Sequence, residues 1–369
     1  MQSSNDVIPK VKVLFVLKDA LRGCGVTKVT LNLATQLNEQ GHNVGIYIMD
    51  GTNGQLEQFK PFSTFIGNNG GVKGILKYSI HLAKFIKSEQ YSLVVSAKEQ
   101  ANILTYCASL LNSRFTPIYT RHCAFDVSDQ ELSVKNITRL YGLYSKGRGK
   151  IVAVSNDLAN YIKQQLPKAA NKIYFCPNPV VNHTLFEKSV NNTDNFSHNK
   201  PYMCAVGRLC EQKGFDLLLT SYKLASNENP NLPDLLIVGE GSDLDILSEQ
   251  RKSLNLENKV HFTGFTTNPY YVMANSEIFL LSSRHEGLPT VLIEALALQT
   301  NIVSFDCPTG PKEILQNGQF GALVPVGDVQ GFANNINKLL KEPMDIPKSA
   351  IEQYTYEKSA EAYIALVNK

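Results

Sequence analysis

Short aliphatic runs alternate with stretches of helical period along the whole chain, and this alternation restricts the fold more than any other feature. Val11 to Leu17 is a β-branched and aliphatic run with the pattern of a buried strand. Leu31, Leu33, Ala34 and Leu37 then mark one face of a helix that begins near Thr27 and stops before Gly41, a residue type that commonly ends helices. Val44 to Met49 is the next strand. Strand, Gly-containing loop, helix, strand is the opening of a parallel doubly wound sheet. The pattern continues through a short strand near Phe65, a basic amphipathic helix at Gly74 to Lys87, a strand at Leu93 to Ser96 and a helix at Asn102 to Leu111. Strands at Pro117 to Arg121, Ile151 to Ser155 and Ile173 to Cys176 complete about seven in the first half.

Residues 183–199 are polar, Asn-rich and aperiodic, and read as a linker. The alternation then restarts with strands at Tyr202 to Val206, Leu235 to Val238, Val260 to Phe262, Ile278 to Leu281 and Ile302 to Phe305, with helices between them. A length of 369 residues suits two domains. The expected organisation is an α/β chain with Rossmann-like domains at 1–182 and 200–352, the linker between them, and a C-terminal helix within 353–369 packing back on the first domain. Ligands of open α/β sheets bind outside the carboxyl ends of the strands. The active site is therefore expected where two such domains face each other across a cleft.

Composition narrows the function classes. Hydrophobic content of 43% and charged content of 19% describe an ordinary globular protein. The opening segment reads as a strand and not as a signal peptide, and no run approaches the ~20 apolar residues of a membrane-spanning helix. The seven cysteines are odd in number, scattered and without CxxC spacing, which argues for reduced thiols in a cytoplasm and against a disulfide framework or a zinc site. The net charge of +3 conceals an asymmetry. Residues 1–190 hold 22 Lys and Arg against 12 Asp and Glu, and residues 191–369 hold 14 against 21. A basic first half suits an anionic membrane surface or a lipid diphosphate. No recognition motif or aromatic-basic array supports nucleic acid.

Four places carry chemistry. Glu286 and Glu294 are separated by seven residues in SRHEGLPTVLIE, residues 283–294. Pro289 suits a helix start, which puts Glu286 on a loop and Glu294 in the second helical turn. The free N–H groups of such a start suit a phosphate, with a carboxylate on either side for hydroxyls; a surface ion pair is equally compatible with the pattern. Arg208 and Lys213 flank a strand-to-helix loop, where two cations suit a diphosphate, although spacing alone also fits a solvated pair. His122 follows a strand end and could hydrogen-bond a sugar, or be structural. Gly23 and Gly25 lie in a loop that admits close backbone approach by an anion, or simply a tight turn. Asp243-Leu244-Asp245 has the form of a metal-binding DxD, but its place at a helix start reads as capping by Ser242 and Asp243, and no metal site is expected.

Taken together these segments resemble glycosyltransferase family 4, retaining enzymes with the two-domain GT-B fold. The resemblance rests on HEGLPTVLIEALA at 285–297, VGRLCEQKGFDLLL at 206–219, LLIVGEGSDLDIL at 235–247, VHFTGF at 260–265 and CPTGPKEIL at 307–315, with PNPV at 177–180 and GVTKVTLNLATQLNEQGHNV at 25–44. It implies transfer of a hexose or N-acetylhexosamine from a nucleotide sugar, usually UDP-linked, with the anomeric configuration retained and without metal or other cofactor. Arg208 and Lys213 would then hold the diphosphate. Glu286 would bind donor-sugar hydroxyls, helped by the backbone at Gly287 and Leu288, and Glu294 would bind the ribose. Gly207, Gly239, Gly264 and Phe265 would complete the donor site, with Gly264 and Phe265 near the base. Gly25 would approach the diphosphate and His122 the donor sugar. The pattern departs from the family at Cys24-Gly25, where a Gly pair is usual, and at Thr27, where Glu is usual.

The function expected is synthesis of a cell-surface polysaccharide, such as lipopolysaccharide or capsule, on a glycan or lipid-linked acceptor. The protein would be cytoplasmic, touching the inner face of the membrane through Lys77, Lys84 and Lys87 or through Lys146, Arg148 and Lys150. Two other readings keep the scaffold: a nucleotide-sugar epimerase or hydrolase, and a non-catalytic nucleotide-sugar-binding partner subunit.

Overall fold

A computed structural model describes residues 10–19, 25–50, 56–67, 74–125, 132–194 and 196–367. The chain divides into two compact units, Met1–Pro179 with Tyr356–Lys369, and Val180–Thr355.

The first unit runs β1 (Lys12–Asp19), α1 (Gly25–Glu39), β2 (Asn43–Asp50), β3 (Ser63–Ile66), α2 (Ile75–Glu89), β4 (Leu93–Ala97), α3 (Glu99–Leu111), β5 (Thr116–Arg121), α4 (Val134–Tyr144), β6 (Lys150–Ala153), α5 (Asn156–Gln165) and β7 (Ile173–Phe175). The seven strands form one parallel sheet in the order β3-β2-β1-β4-β5-β6-β7. The strand period of two sorts side chains to opposite faces. Val13, Phe15 and Leu17 of β1 join Leu93 and Val95 of β4 in one core, against Leu33, Ala34 and Leu37 of α1. Leu14, Val16 and Val94 face the other way, against Leu82 and Ile86 of α2 and Leu104 of α3. A sheet covered on both faces explains why these strands are continuous apolar runs.

The second unit runs α6 (His183–Val190), β8 (Tyr202–Val206), α7 (Phe215–Glu228), β9 (Asp234–Val238), α8 (Leu244–Ser253), β10 (Val260–Gly264), α9 (Pro269–Ala274), β11 (Ile278–Leu281), α10 (Thr290–Ala297), β12 (Asn301–Phe305), α11 (Pro311–Ile314), β13 (Ala322–Val324) and α12 (Val329–Lys341). Its sheet is parallel, in the order β10-β9-β8-β11-β12-β13. Met203, Ala205, Leu235, Ile237, Leu280 and Val303 pack one face against Leu218 and Tyr222 of α7 and Phe332 and Ile336 of α12. Last comes α13 (Tyr356–Ile364), which packs on α1 and places Ala360, Tyr363 and Ile364 in the first unit's core.

Two expectations are corrected here. The stretch 183–199 is not an irregular linker, because its first eight residues form α6. Asn182 caps that helix, its Oδ1 accepting from the Leu185 N–H at 3.1 Å. The side-chain amide of Asn268, ahead of α9, donates to the carbonyls of Lys188 and Asn191 at 2.9 and 2.8 Å and ties α6 into the second unit. Lys150 is not a surface cation: it is 3% exposed and its Nζ donates to the Leu366 carbonyl. Its charge is used to hold the returning C-terminal segment. Arg148 is likewise engaged, donating to the Ser113 carbonyl at 3.0 Å.

Candidate active site

In the second unit the chain winds one way from β8 to β10 and the other way from β11 to β13. The loops after β8 and β11 therefore diverge at a topological switch point, the usual ligand crevice of an open α/β sheet. Arg208 and Lys213 stand on the first of these loops and Glu286 on the second. The sheet order makes neighbours of segments 73 residues apart. Lys213 Nζ lies 2.6 Å from Glu286 Oε1, and the Ser283 hydroxyl donates to the same oxygen at 2.7 Å. The carboxylate is thus held by a cation and a hydroxyl in a site where its side chain is 8% exposed. Arg208 is exposed and, among the described residues, makes no hydrogen bond or ion pair. It is a cation presented to solvent at a strand end.

The two loops are clamped to each other through backbone carbonyls. The Ser282 hydroxyl donates to the Lys213 carbonyl at 2.8 Å, the Arg284 N–H donates to the Gln212 carbonyl at 2.8 Å, and the Gln212 amide donates to the His285 carbonyl at 3.0 Å. Arg284 also grips Asp216, in the first turn of α7, through two bonds of 2.8 and 2.6 Å. Behind Glu286, its N–H donates to the Pro308 carbonyl and its carbonyl accepts from the Thr309 N–H at 2.8 and 2.9 Å. Thr309 Oγ1 donates to the Gly287 carbonyl at 2.8 Å. Burial, and then the nearby Glu286 carboxylate, push the Cys307 thiol up to about 12. It stays protonated and offers no thiolate.

Glycine is required where these loops meet. Gly214 has φ +62, and a Cβ there would stand 2.1 Å from the Ser282 carbonyl oxygen. Gly239, at φ +143, would put one 1.9 Å from the Gly207 carbonyl. Gly207 itself leaves space for the Lys213 stem, whose carbons lie 3.3 Å from its would-be Cβ. The exposed Phe265, next to Gly264 in the chain, borders a cavity of about 130 Å³ that Val238, Thr263 and Tyr271 also line. Leu288 is buried and Gly287 half-buried on the loop before α10. Pro289 sits at the N-cap, one residue before the first helical position expected for it. Glu294 lies in the second turn of α10 and is 2% exposed.

In the first unit His122 follows β5, half-buried in a cavity of about 240 Å³ lined also by Lys18, Lys98, Thr120, Arg121 and Ile137. Burial, then the charges of Arg121 and Lys98, push its imidazole down to about 4, so it is neutral near pH 7. Thr120 Oγ1 donates to the Ser96 carbonyl at 2.8 Å and lies 3.2 Å from His122 Nε2. With its proton so used, the hydroxyl accepts from Nε2–H, which leaves Nδ1 as an acceptor. Lys98, after β4, is 3.2 Å from Asp19 at the end of β1, and these two strands flank the first sheet's own switch point. Arg121 is ion-paired to Glu99. Among the described residues, nothing lies within 4 Å of the position a Cβ would take at Gly25. Gly23 lies outside the described residues.

A family model for glycosyl transferases group 1 matches residues 188–358, and a model for glycosyltransferase family 4 matches residues 23–182. The chain belongs to glycosyltransferase family 4. An uncharacterized glycosyltransferase of Methanocaldococcus jannaschii is 30% identical over 257 residues, 65% of this chain and 62% of that relative. A lipopolysaccharide core biosynthesis glycosyltransferase of Rhizobium meliloti is 28% identical over 176 residues, 45% of this chain and 49% of that one. Thus the matched regions span about half to three-fifths of these relatives' lengths. The crystal structure of Anabaena HepE in complex with UDP shares the fold, at a TM-score of 0.75, 18% identity and 97% coverage of both chains.

Several features of this glycosyltransferase's site were not singled out in the sequence. Ser283, Thr309 and Gln212 lie inside the quoted segments, but their roles are hydrogen bonds that residue type does not announce: Ser283 to Glu286 within its own loop, Thr309 and Gln212 to a neighbouring loop. The DxD reading is corrected in detail. Asp243 does occupy the N-cap of α8, but its side chain makes no capping bond and accepts instead from the Ser242 hydroxyl at 2.8 Å.

Proposed function

We propose that this glycosyltransferase transfers a sugar from a UDP-linked donor, with retention and without a catalytic metal, in the assembly of a surface polysaccharide. The observation that carries the reading is the Lys213–Glu286 pair at the second sheet's switch point, on loops that also present the exposed Arg208. Two cations there match a diphosphate, and Lys213 can exchange the carboxylate for a phosphate oxygen. Glu286, released from Lys213, then accepts hydrogen bonds from donor-sugar hydroxyls. Glu294 takes the ribose and the cavity beside Phe265 the base. As the bond from the anomeric carbon to the diphosphate oxygen breaks, Arg208 and Lys213 stabilise the negative charge that develops on the leaving group. The acceptor oxygen bonds to the same face of that carbon, and its proton passes to a departing phosphate oxygen. In this account the neutral His122 hydrogen-bonds a sugar hydroxyl. The solved Anabaena complex with UDP and the Rhizobium relative in lipopolysaccharide core synthesis support the donor and the pathway class.

A panel of UDP-, GDP- and ADP-sugars in EDTA tests this by thermal shift and donor turnover. One UDP-sugar is expected to stabilise the chain. Arg208→Ala is expected to weaken that donor about tenfold to hundredfold, the loss of a charge-assisted hydrogen bond. The melting temperature without donor should not move, because Arg208 is exposed and makes no hydrogen bond or ion pair among the described residues. Silence toward every nucleotide sugar would leave the Lys213–Glu286 pair a structural one. Turnover at full rate without acceptor would point instead to a hydrolase or epimerase.

The membrane part of the proposal rests on α2 and α3, which pack together. Leu76, Ile80, Leu110 and Leu111 are 69%, 41%, 69% and 55% exposed, close in sequence to Lys77, Lys84, Lys87 and Arg114. No helix among the described residues is long and apolar enough to cross a membrane. Ile80 and Leu111 share a surface hollow with Lys84, Lys87 and Arg114, and exposed apolar side chains beside cations suit an anionic lipid surface. Binding to vesicles containing phosphatidylglycerol should fall as salt rises, and should fall further in a Lys77→Glu/Lys84→Glu variant. Binding indifferent to salt and to lipid charge would remove this part.

A further inference from the structure

At the amino end of the second sheet, opposite the switch-point loops, three side chains from separate segments converge. Asp234 opens β9, His261 stands at the start of β10, and His198 lies on the segment that leads into β8. Asp234 is 1% exposed. Its Oδ2 is 3.2 Å from His198 Nε2 and 3.6 Å from His261 Nε2. All three atoms are buried, and none has a hydrogen-bond partner. Buried polar atoms left in this state are uncommon and ask for an explanation. Three of them aimed at one point ask for a shared one.

We propose that His198, Asp234 and His261 bind a divalent first-row transition ion, with zinc as the representative. Two imidazole nitrogens and one carboxylate oxygen form a typical ligand set for such an ion, whereas magnesium and calcium favour all-oxygen sites. The geometry fits. At ligand distances of about 2.0–2.1 Å, the corners of a tetrahedron stand roughly 3.3 Å apart. The observed 3.2 and 3.6 Å are near that edge, and all three ligand atoms lie within 4.8 Å of one another. The imidazole rings are 5.3 Å apart and inclined at 58°, so both nitrogens can reach one ion without stacking. Three protein ligands leave a fourth corner for water.

Two lysines compete for the same carboxylate. Lys259 Nζ is 3.5 Å from Asp234 Oδ1 and also donates to the Leu232 carbonyl at 3.1 Å, so it serves the oxygen that the ion does not need. Lys200 Nζ is 3.8 Å from Oδ2, but its side chain is 68% exposed on a flexible stem and can turn to water. A bound ion would pin the segment before β8 to the starts of β9 and β10. Its role there is to fasten the fold at the edge away from Glu286, and the inference does not depend on the donor reading.

The test uses the full chain stripped with chelator and then dialysed free of it. Zinc sulfate is titrated by calorimetry, melting is followed with and without zinc, and cobalt(II) is added as a spectroscopic probe. The expected result is one ion per chain, a higher melting temperature, and the visible ligand-field bands of four-coordinate cobalt. His198→Gln and His261→Gln, both on the less buried side of the cluster, should each weaken zinc by at least the about 10–100-fold seen when a supporting partner is lost. Donor turnover should be unchanged. No zinc uptake, or uptake and cobalt spectra the same in both variants as in the parent, overturns the proposal and assigns Asp234 to its lysines.

Discussion

Lys213→Met is expected to lower donor turnover by about 10²–10³-fold, the range seen when one stabiliser of developing negative charge is removed. The same change should destabilise the fold. Glu286 Oε1 takes bonds of 2.6 and 2.7 Å from Lys213 and Ser283 at 8% side-chain exposure. Removing the cation leaves a buried carboxylate with one hydroxyl, and breaking a buried pair from one side costs about 3–5 kcal/mol. The two effects separate in a double variant. Lys213→Met with Glu286→Gln removes both charges at similar volume, so stability should return toward the parent. Activity should not return. Chemical denaturation and donor-turnover rates on the four proteins of the cycle measure this. Turnover within tenfold of the parent in Lys213→Met would mean that the ammonium does not meet the leaving group.

Gly214→Ala should damage both the fold and the site. The position has φ +62, and the new carbon would stand 2.1 Å from the Ser282 carbonyl oxygen. The left-handed backbone alone costs an L-residue about 1–2 kcal/mol. Relieving the overlap requires the β8 and β11 loops to part, for about 1–3 kcal/mol more. At roughly 2–4 °C per kcal/mol for a unit of this size, the melting temperature should fall by about 5–15 °C. Parting the loops also draws Lys213 away from Glu286, so donor affinity should fall as well. Gly327→Ala is the control: its φ is +87, but among the described residues nothing lies within 4 Å of the added carbon. It should lose only the backbone contribution. Equal losses in the two variants would show that the close approach at Ser282 is unimportant.

The doubly wound architecture was legible in the sequence because its physics is local. Strands covered on both faces must be apolar along their length, as Val13 to Leu17 are, and helices between them must keep one apolar face, as Leu33, Ala34 and Leu37 do. Glu286 and Lys213 were legible as residue types in motifs but not as a contact, since sheet order alone makes β8 and β11 neighbours. The misread linker shows the opposite limit. A helix as short as α6 has little period to read, and its fastening comes from Asn182 and Asn268, residue types that equally signal a loop. His198, Asp234 and His261 left no trace in spacing, because each comes from a different segment.

The return of α13 to the first unit has a consequence for how the protein is made. Leu33, Leu37 and Phe15 share their core with Ala360, Tyr363 and Ile364, yet residues 180–355 must be synthesised between Pro179 and that helix. At about 5–20 residues per second, the first unit waits on the order of 10–35 s for its last piece. During that interval the outer face of α1 stands uncovered, while the second unit is a continuous stretch that can finish on its own. The half of the chain that leaves the ribosome first is therefore the half that matures last. A nascent chain halted before Tyr356 would carry a complete second unit joined to an unfinished, aggregation-prone first one.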